Sequence, residues 1–161
     1  MKKTFLISFI CLFFDQIVKF FLLKFLNVGE SVIIIKNFLS ITLVKNTGAA
    51  FSILRSHSFL LIILSVIVLL SLGYYVIKAS DIKRYEYVIY GFLIGGILGN
   101  LIDRFIRGAV IDYLDFNILG YEAPIFNFAD ICIVVSMFLL LILTVGDDKN
   151  EVSSRWRNKT W

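Results

Sequence analysis

The chain has 161 residues, 59% of them hydrophobic, with a mean hydropathy of +0.88 and a formal net charge of +4. A soluble domain is about 45–50% apolar even with glycine counted, so a water-soluble globule is excluded and one compact membrane unit is expected. The basic residues flank apolar runs and mark membrane orientation rather than a nucleic-acid surface, while one histidine (His57) and two cysteines within apolar runs (Cys11 and Cys132) supply neither a zinc-ligand set nor a disulfide framework.

Lys2 and Lys3 precede the apolar run FLISFICLFF at 5–14. This start is like a signal peptide, but the run continues past Asp15, Gln16 and Lys19 and has no small-residue cleavage site. Residues 5–25 are therefore expected to be a first membrane span, since about 20 residues rising about 1.5 Å each cross a core of about 30 Å. Asp15 and Lys19 are four apart, share a helical face and should pair inside the bundle. Residues 27–57 form an outer loop. Gly29 breaks the helical pattern, SVIIIKNFLSITLV is β-branched, and KNTGAAF is a turn with small residues Gly48, Ala49 and Ala50. A small β-rich element on the membrane surface is predicted here. Residues 59–77 are a charge-free second span, and 78–86 a short charged loop. Residues 87–106 form a third span in which Gly91, Gly95 and Gly99 recur every four residues, with Gly96 beside them, a row suited to close helix packing. Residues 107–126 form a second outer loop with VIDYLDF as a strand-like piece. Residues 127–145 are the fourth span, and 146–161 a polar, flexible tail. The expected fold is thus a mainly α membrane protein with four transmembrane helices and a small β-rich extracytoplasmic element between spans 1 and 2.

The Lys/Arg bias sets the orientation. Lys2, Lys3, Lys78, Lys83, Arg84, Lys149, Arg155, Arg157 and Lys159 fall on one side; Lys36, Lys45, Arg55, Arg104 and Arg107 fall on the other. The first set should be cytoplasmic, which puts both termini inside and both long loops outside. Asn100, Asp103 and Arg104 then lie at the outer end of the third span, and Asn127 and Asp130 at the outer start of the fourth. Asp112 sits in the loop between them, and the turn at 45–51 enters from the same side. Each ionisable group at membrane depth costs about 2.5–3.5 kcal/mol on insertion scales, so a chain that retains several is expected to use them.

With a single histidine, His57, in the chain, a Ser-His or Cys-His pair is weakly supported. A pair of carboxylates is better supplied. Two aspartates sharing a site cannot both ionise easily; one can activate water while the other, protonated, polarises a carbonyl. Asp103 has Arg104 beside it and Arg107 one turn on, which suits a structural salt bridge. Asp112 and Asp130 lack such partners and are the preferred pair. Asp115 is a further candidate, placed by D-x-x-D on the opposite strand face.

Five blocks stand in order: DQIVK at 15–19, KNTGAAF at 45–51, GNLIDR at 99–104, VIDY at 110–113 and PIFNFAD at 124–130. With four spans of this length, the chain resembles the bacterial lipoprotein signal peptidase (signal peptidase II) family. The resemblance implies an aspartic endopeptidase, without metal or cofactor, that removes signal peptides from diacylglyceryl-modified prolipoproteins by cleaving before the lipidated cysteine. It maps the catalytic pair onto Asp112 and Asp130, and supporting roles onto Asp15, Asn46, Asn100, Arg104 and Asn127; Lys19, Gly48 and Asp103 are further candidates for supporting or substrate-binding roles. It further implies inhibition by globomycin-type peptides. Beside it, the expected protein is a monomer in the bacterial cytoplasmic membrane with its active site near the outer face, and a signal helix docks among the spans using the glycine-smoothed surface. The family commonly has Phe where this chain has Tyr113.

Plainer roles exist for single residues. Asn46 could only form its turn, Asn127 could cap the fourth helix, Arg104 could snorkel to headgroups, and Tyr113 could anchor at the interface. The competing function is a proton-coupled transporter or channel subunit relaying through Asp15, Asp103 and Asp130. That function needs polar residues spread through the membrane depth, whereas here they concentrate at one face apart from Asp15 and Lys19, and the internal repeat that would favour it is not seen. A non-catalytic membrane partner does not account for three aspartates at one depth.

Overall fold

A computed structural model describes residues 2–48, 58–79, 82–118 and 120–157. Ala49, Ala50 and Phe51 of the KNTGAAF block, with Arg55 and His57, lie outside the described residues. Four helices, α1 (Lys2–Phe25), α2 (Ser58–Lys78), α3 (Glu86–Arg107) and α4 (Phe128–Arg157), are joined by strands β1 (Ser31–Ile35), β2 (Leu39–Asn46), β3 (Val110–Ile118) and β4 (Tyr121–Glu122). All four helices are long and apolar enough to cross a membrane, the fourth over Phe128–Gly146. The expected mainly α membrane architecture with a small β element is present.

The inward face of α1 is largely polar and its outward face apolar. The buried stripe of α1 is Thr4, Ser8, Cys11, Asp15 and Lys19, at spacings of three and four, whereas Phe9 is 62% and Phe20 59% exposed. Large apolar side chains face lipid because burial against protein gives them little there. α3 is the core helix: half of its apolar window is buried, against 11% for α2. The glycine row makes this possible. A Cβ on Gly95 would lie 2.7 Å from Cys11 Cβ and 2.8 Å from the Ser8 carbonyl, and one on Gly96 would lie 2.5 Å from the Ala129 carbonyl. The row is therefore filled by α1 and α4. The expectation that it offers a free surface to a substrate helix is corrected, because close packing within the bundle already consumes it.

Gly108 ends α3 in the left-handed region (φ 72°), its N–H returning to the Arg104 carbonyl at 3.1 Å. The chain then enters β3 directly. The strands form one antiparallel sheet in the order β1-β2-β3-β4. The loop between α3 and α4 thus extends the β element that the sequence placed between spans 1 and 2. The β2–β3 register sets Val44 opposite Asp112 and Asn46 opposite Val110. The polar segment from Gly146 is helical to Arg157. It contains no proline, and its one glycine costs a helix only about 1 kcal/mol.

Candidate active site

Three chain segments meet at the end of the bundle that carries the sheet. α3 brings Asn100, Asp103 and Arg104; β3 brings Asp112; the start of α4 brings Asn127 and Asp130. Asn127 organises the meeting. Its Oδ1 accepts the Asp130 N–H (3.0 Å), and its own N–H donates to Asp130 Oδ2 (3.2 Å), a reciprocal cap on α4. Its Nδ2 donates to Asp112 Oδ1 (2.7 Å) and to Asn100 Oδ1 (3.2 Å). One fully buried residue therefore bonds both aspartates. The cap expected from sequence is formed, and the side chain does more than cap.

Asn100 Nδ2 donates to Asp130 Oδ1 at 2.7 Å. Asn46 Oδ1 accepts the Gly48 N–H (2.9 Å) to close its turn, while its Nδ2 donates to Asp112 Oδ2 (2.9 Å). Arg104 does not reach outward; its Nη2 donates to the Gly48 carbonyl at 3.1 Å. Asp112 is 3% exposed, and burial together with the charge of Asp130 pushes its carboxyl up to about 6, against the pull of Asn46 and Asn127. Asn46, Asn100, Arg104, Asp112 and Asp130 all line one cavity of about 800 Å³. Its apolar lining includes Ile131, Val134 and Val135 of α4. That size lies within the usual range of ligand pockets, about 300–1,000 Å³. Asp115 is turned to another partner, accepting from Thr42 Oγ1 at 2.7 Å.

Behind the cavity lies an ion cluster. Lys19 Nζ is 2.8 Å from Asp15 Oδ2 and 2.7 Å from Asp103 Oδ2, all three groups being buried. Arg107 pairs with Asp103 on its other oxygen. Sequence reasoning placed Asp15 with Lys19 and Asp103 with Arg107, and both pairs are present. It missed Gln16, whose Nε2 donates to Asp103 Oδ1 (3.1 Å) and whose Oε1 accepts from Arg107 (3.0 Å). The only signal was its place inside the DQIVK block. The plainer role weighed for Tyr113 is not the one it takes. The ring is 4% exposed, not an interfacial anchor, and its hydroxyl accepts the Phe128 N–H at 3.3 Å. Burial pushes that phenol upward. Among the described residues no group of three or more His, Cys, Asp or Glu is arranged to hold a metal.

The sequence matches the signal peptidase (SPase) II family over residues 7–145. It is 36% identical over 146 residues to proteins of Staphylococcus aureus strains JH9 and Newman named lipoprotein signal peptidase, covering 91% of this chain and 90% of theirs. Two solved structures of a bacterial membrane enzyme, at 2.3 and 1.9 Å, superpose with TM-scores of 0.87 and 0.82 at 35% identity. They cover 93% and 91% of this chain, and 92% and 95% of their own. The chain belongs to the signal peptidase II family of membrane peptidases.

Proposed function

We propose that this protein is an aspartic endopeptidase that removes signal peptides from diacylglyceryl-modified prolipoproteins, cutting before the lipidated cysteine, with Asp112 and Asp130 as the catalytic pair. The observation that carries the reading is that Asn127 bonds both carboxylates while both line one cavity. In the proposed reaction the ionised aspartate takes a proton from water as it attacks the scissile carbonyl. The protonated one donates to the developing oxyanion, and the proton later goes to the leaving amine. The raised Asp112 carboxyl supports sharing of one proton by the pair.

Arg104 lines the same cavity, and its buried Nε has no partner among the described residues. It is placed to receive a carbonyl of the substrate, with Asn46 and Gly48 on the facing turn. The apolar α4 wall suits acyl chains that remain in the bilayer, and globomycin-type peptides would occupy the same cavity. Both termini are proposed to be cytoplasmic, with the site at the outer face. The test uses purified protein and a diacylglyceryl peptide, with the unlipidated peptide as control. D112N and D130N should each lower kcat by about 10³-fold or more while inserting normally. Cleavage of only the lipidated peptide by the wild type is expected; ordinary turnover by either variant overturns the assignment.

A further inference from the structure

We infer that Lys19 is a positioning residue for both aspartates, acting through three acceptors that each hold one part of the pair. The inference rests on the reading of Asp112 and Asp130 as the catalytic pair. Lys19 has no solvent exposure. Its ammonium has three protons to donate, and three acceptors surround it: Asp15 Oδ2 at 2.8 Å, Asp103 Oδ2 at 2.7 Å and Asn100 Oδ1 at 3.3 Å. Each acceptor continues to the site. Asp15 Oδ1 accepts the N–H of Ala129, the residue before Asp130, at 3.2 Å. Asp103 Oδ2 accepts the N–H of Ile111, the residue before Asp112, at 3.1 Å. Asn100 donates to the Asp130 carboxylate itself at 2.7 Å.

The ammonium also fixes the orientation of Asn100. An ammonium cannot accept, so the Asn100 oxygen must face Lys19 and its NH2 must face Asp130. Asn127 Nδ2 donates to the same oxygen and enforces the same choice. A bundle in need of stability alone would be served as well by apolar residues here, since replacing a buried ion cluster by well-packed apolar groups is often neutral or stabilising. The geometry instead ties one side chain of α1 to β3, α3 and α4 at the points that carry the carboxylates.

Lys19 has an electrostatic consequence as well. Asp112 is faced by Asp130 from α4, Arg104 from α3 and Lys19 from α1, with the neutral amides of Asn46 and Asn127. The Lys19 charge pulls the Asp112 carboxyl down against burial and Asp130. Removing it should move the Asp112 titration upward.

The experiment compares K19M with the triple variant D15N/K19M/D103N. K19M alone leaves buried Asp15 without its cation and Asp103 with Arg107 alone, and can fail to fold. The triple variant removes them as charges, yet each asparagine oxygen can still accept the Ala129 or Ile111 N–H. A folded variant lacking Lys19 is expected to keep KM for the lipidated peptide within about threefold while kcat falls about 10²-fold, the scale of a small misplacement of reacting groups. In folded K19M, where only the Lys19 charge is lost, the limb of the pH–kcat profile that reports Asp112 should move to higher pH. Wild-type kcat with an unmoved profile in either folded variant overturns the inference. Failure of both variants to fold overturns it equally, because the cluster would then serve the bundle rather than the carboxylates. D112N and D130N separate the two levels: if they stay active, the catalytic reading fails whatever Lys19 does.

Discussion

At the scale of the residue, Asp112 carries a cost that the fold bears for the site. Its carboxyl, pushed up to about 6 in the folded protein, titrates near 4 when unfolded. Between those values the folded state binds more protons than the unfolded one. Stability therefore falls as pH rises from about 4 to about 6, by about 3 kcal/mol at most for this group. Melting of the detergent-solubilised protein across that window should show a decline in the wild type that is smaller in D112N. Equal slopes would mean that Asp112 is not the group responsible. Asn127 and Asn100 keep this cost tolerable: their amide protons go to the two carboxylates, so neither charge is left without a donor.

At the scale of the element, α3 depends on what its glycines omit. Gly95 faces the backbone of α1, and a backbone cannot swing aside as a flexible side chain can; overpacking of this kind costs about 1–3 kcal/mol. Gly73 of α2 has nothing within 4 Å of where a Cβ would sit, and alanine is the better helix former by about 1 kcal/mol. G95A should therefore lower the melting temperature in detergent while G73A leaves it unchanged or raises it. Equal effects would remove the close-packing argument. α4 shows the converse principle. Its start is fixed by the Asn127–Asp130 cap, so the helix that lines the cavity begins at a residue that also contacts both carboxylates.

At the scale of the whole molecule, the arrangement follows from the solvent. Lipid gives apolar side chains little reason to bury, so the interior holds glycines and polar groups that bond one another beside a few apolar side chains such as Val76, Leu93 and Ile94. The proposed orientation, read from the Lys/Arg bias, puts the sheet outward. An impermeant maleimide should label K36C in intact cells and K3C only after lysis. Cys11 and Cys132 are each 4% exposed and should stay silent. The opposite labelling pattern would place the cavity on the cytoplasmic side.

The sequence by itself determined the four spans, the strand-rich loop, the cap at Asn127 and the two i,i+4 ion pairs. These are local: they depend on hydropathy over a window or on a fixed helical spacing. The five motif blocks also carried the family resemblance. Only the tertiary structure decided that β3 joins the sheet of the earlier loop, that the glycine row is filled by α1 and α4, and that Asn46 reaches Asp112. It alone showed that Tyr113 is buried, that Gln16 bridges Asp103 and Arg107, and that Lys19 serves three acceptors. Each of these joins residues on separate elements, some more than 80 positions apart. No periodicity within one segment encodes which partner a side chain meets when the chain returns to the same depth.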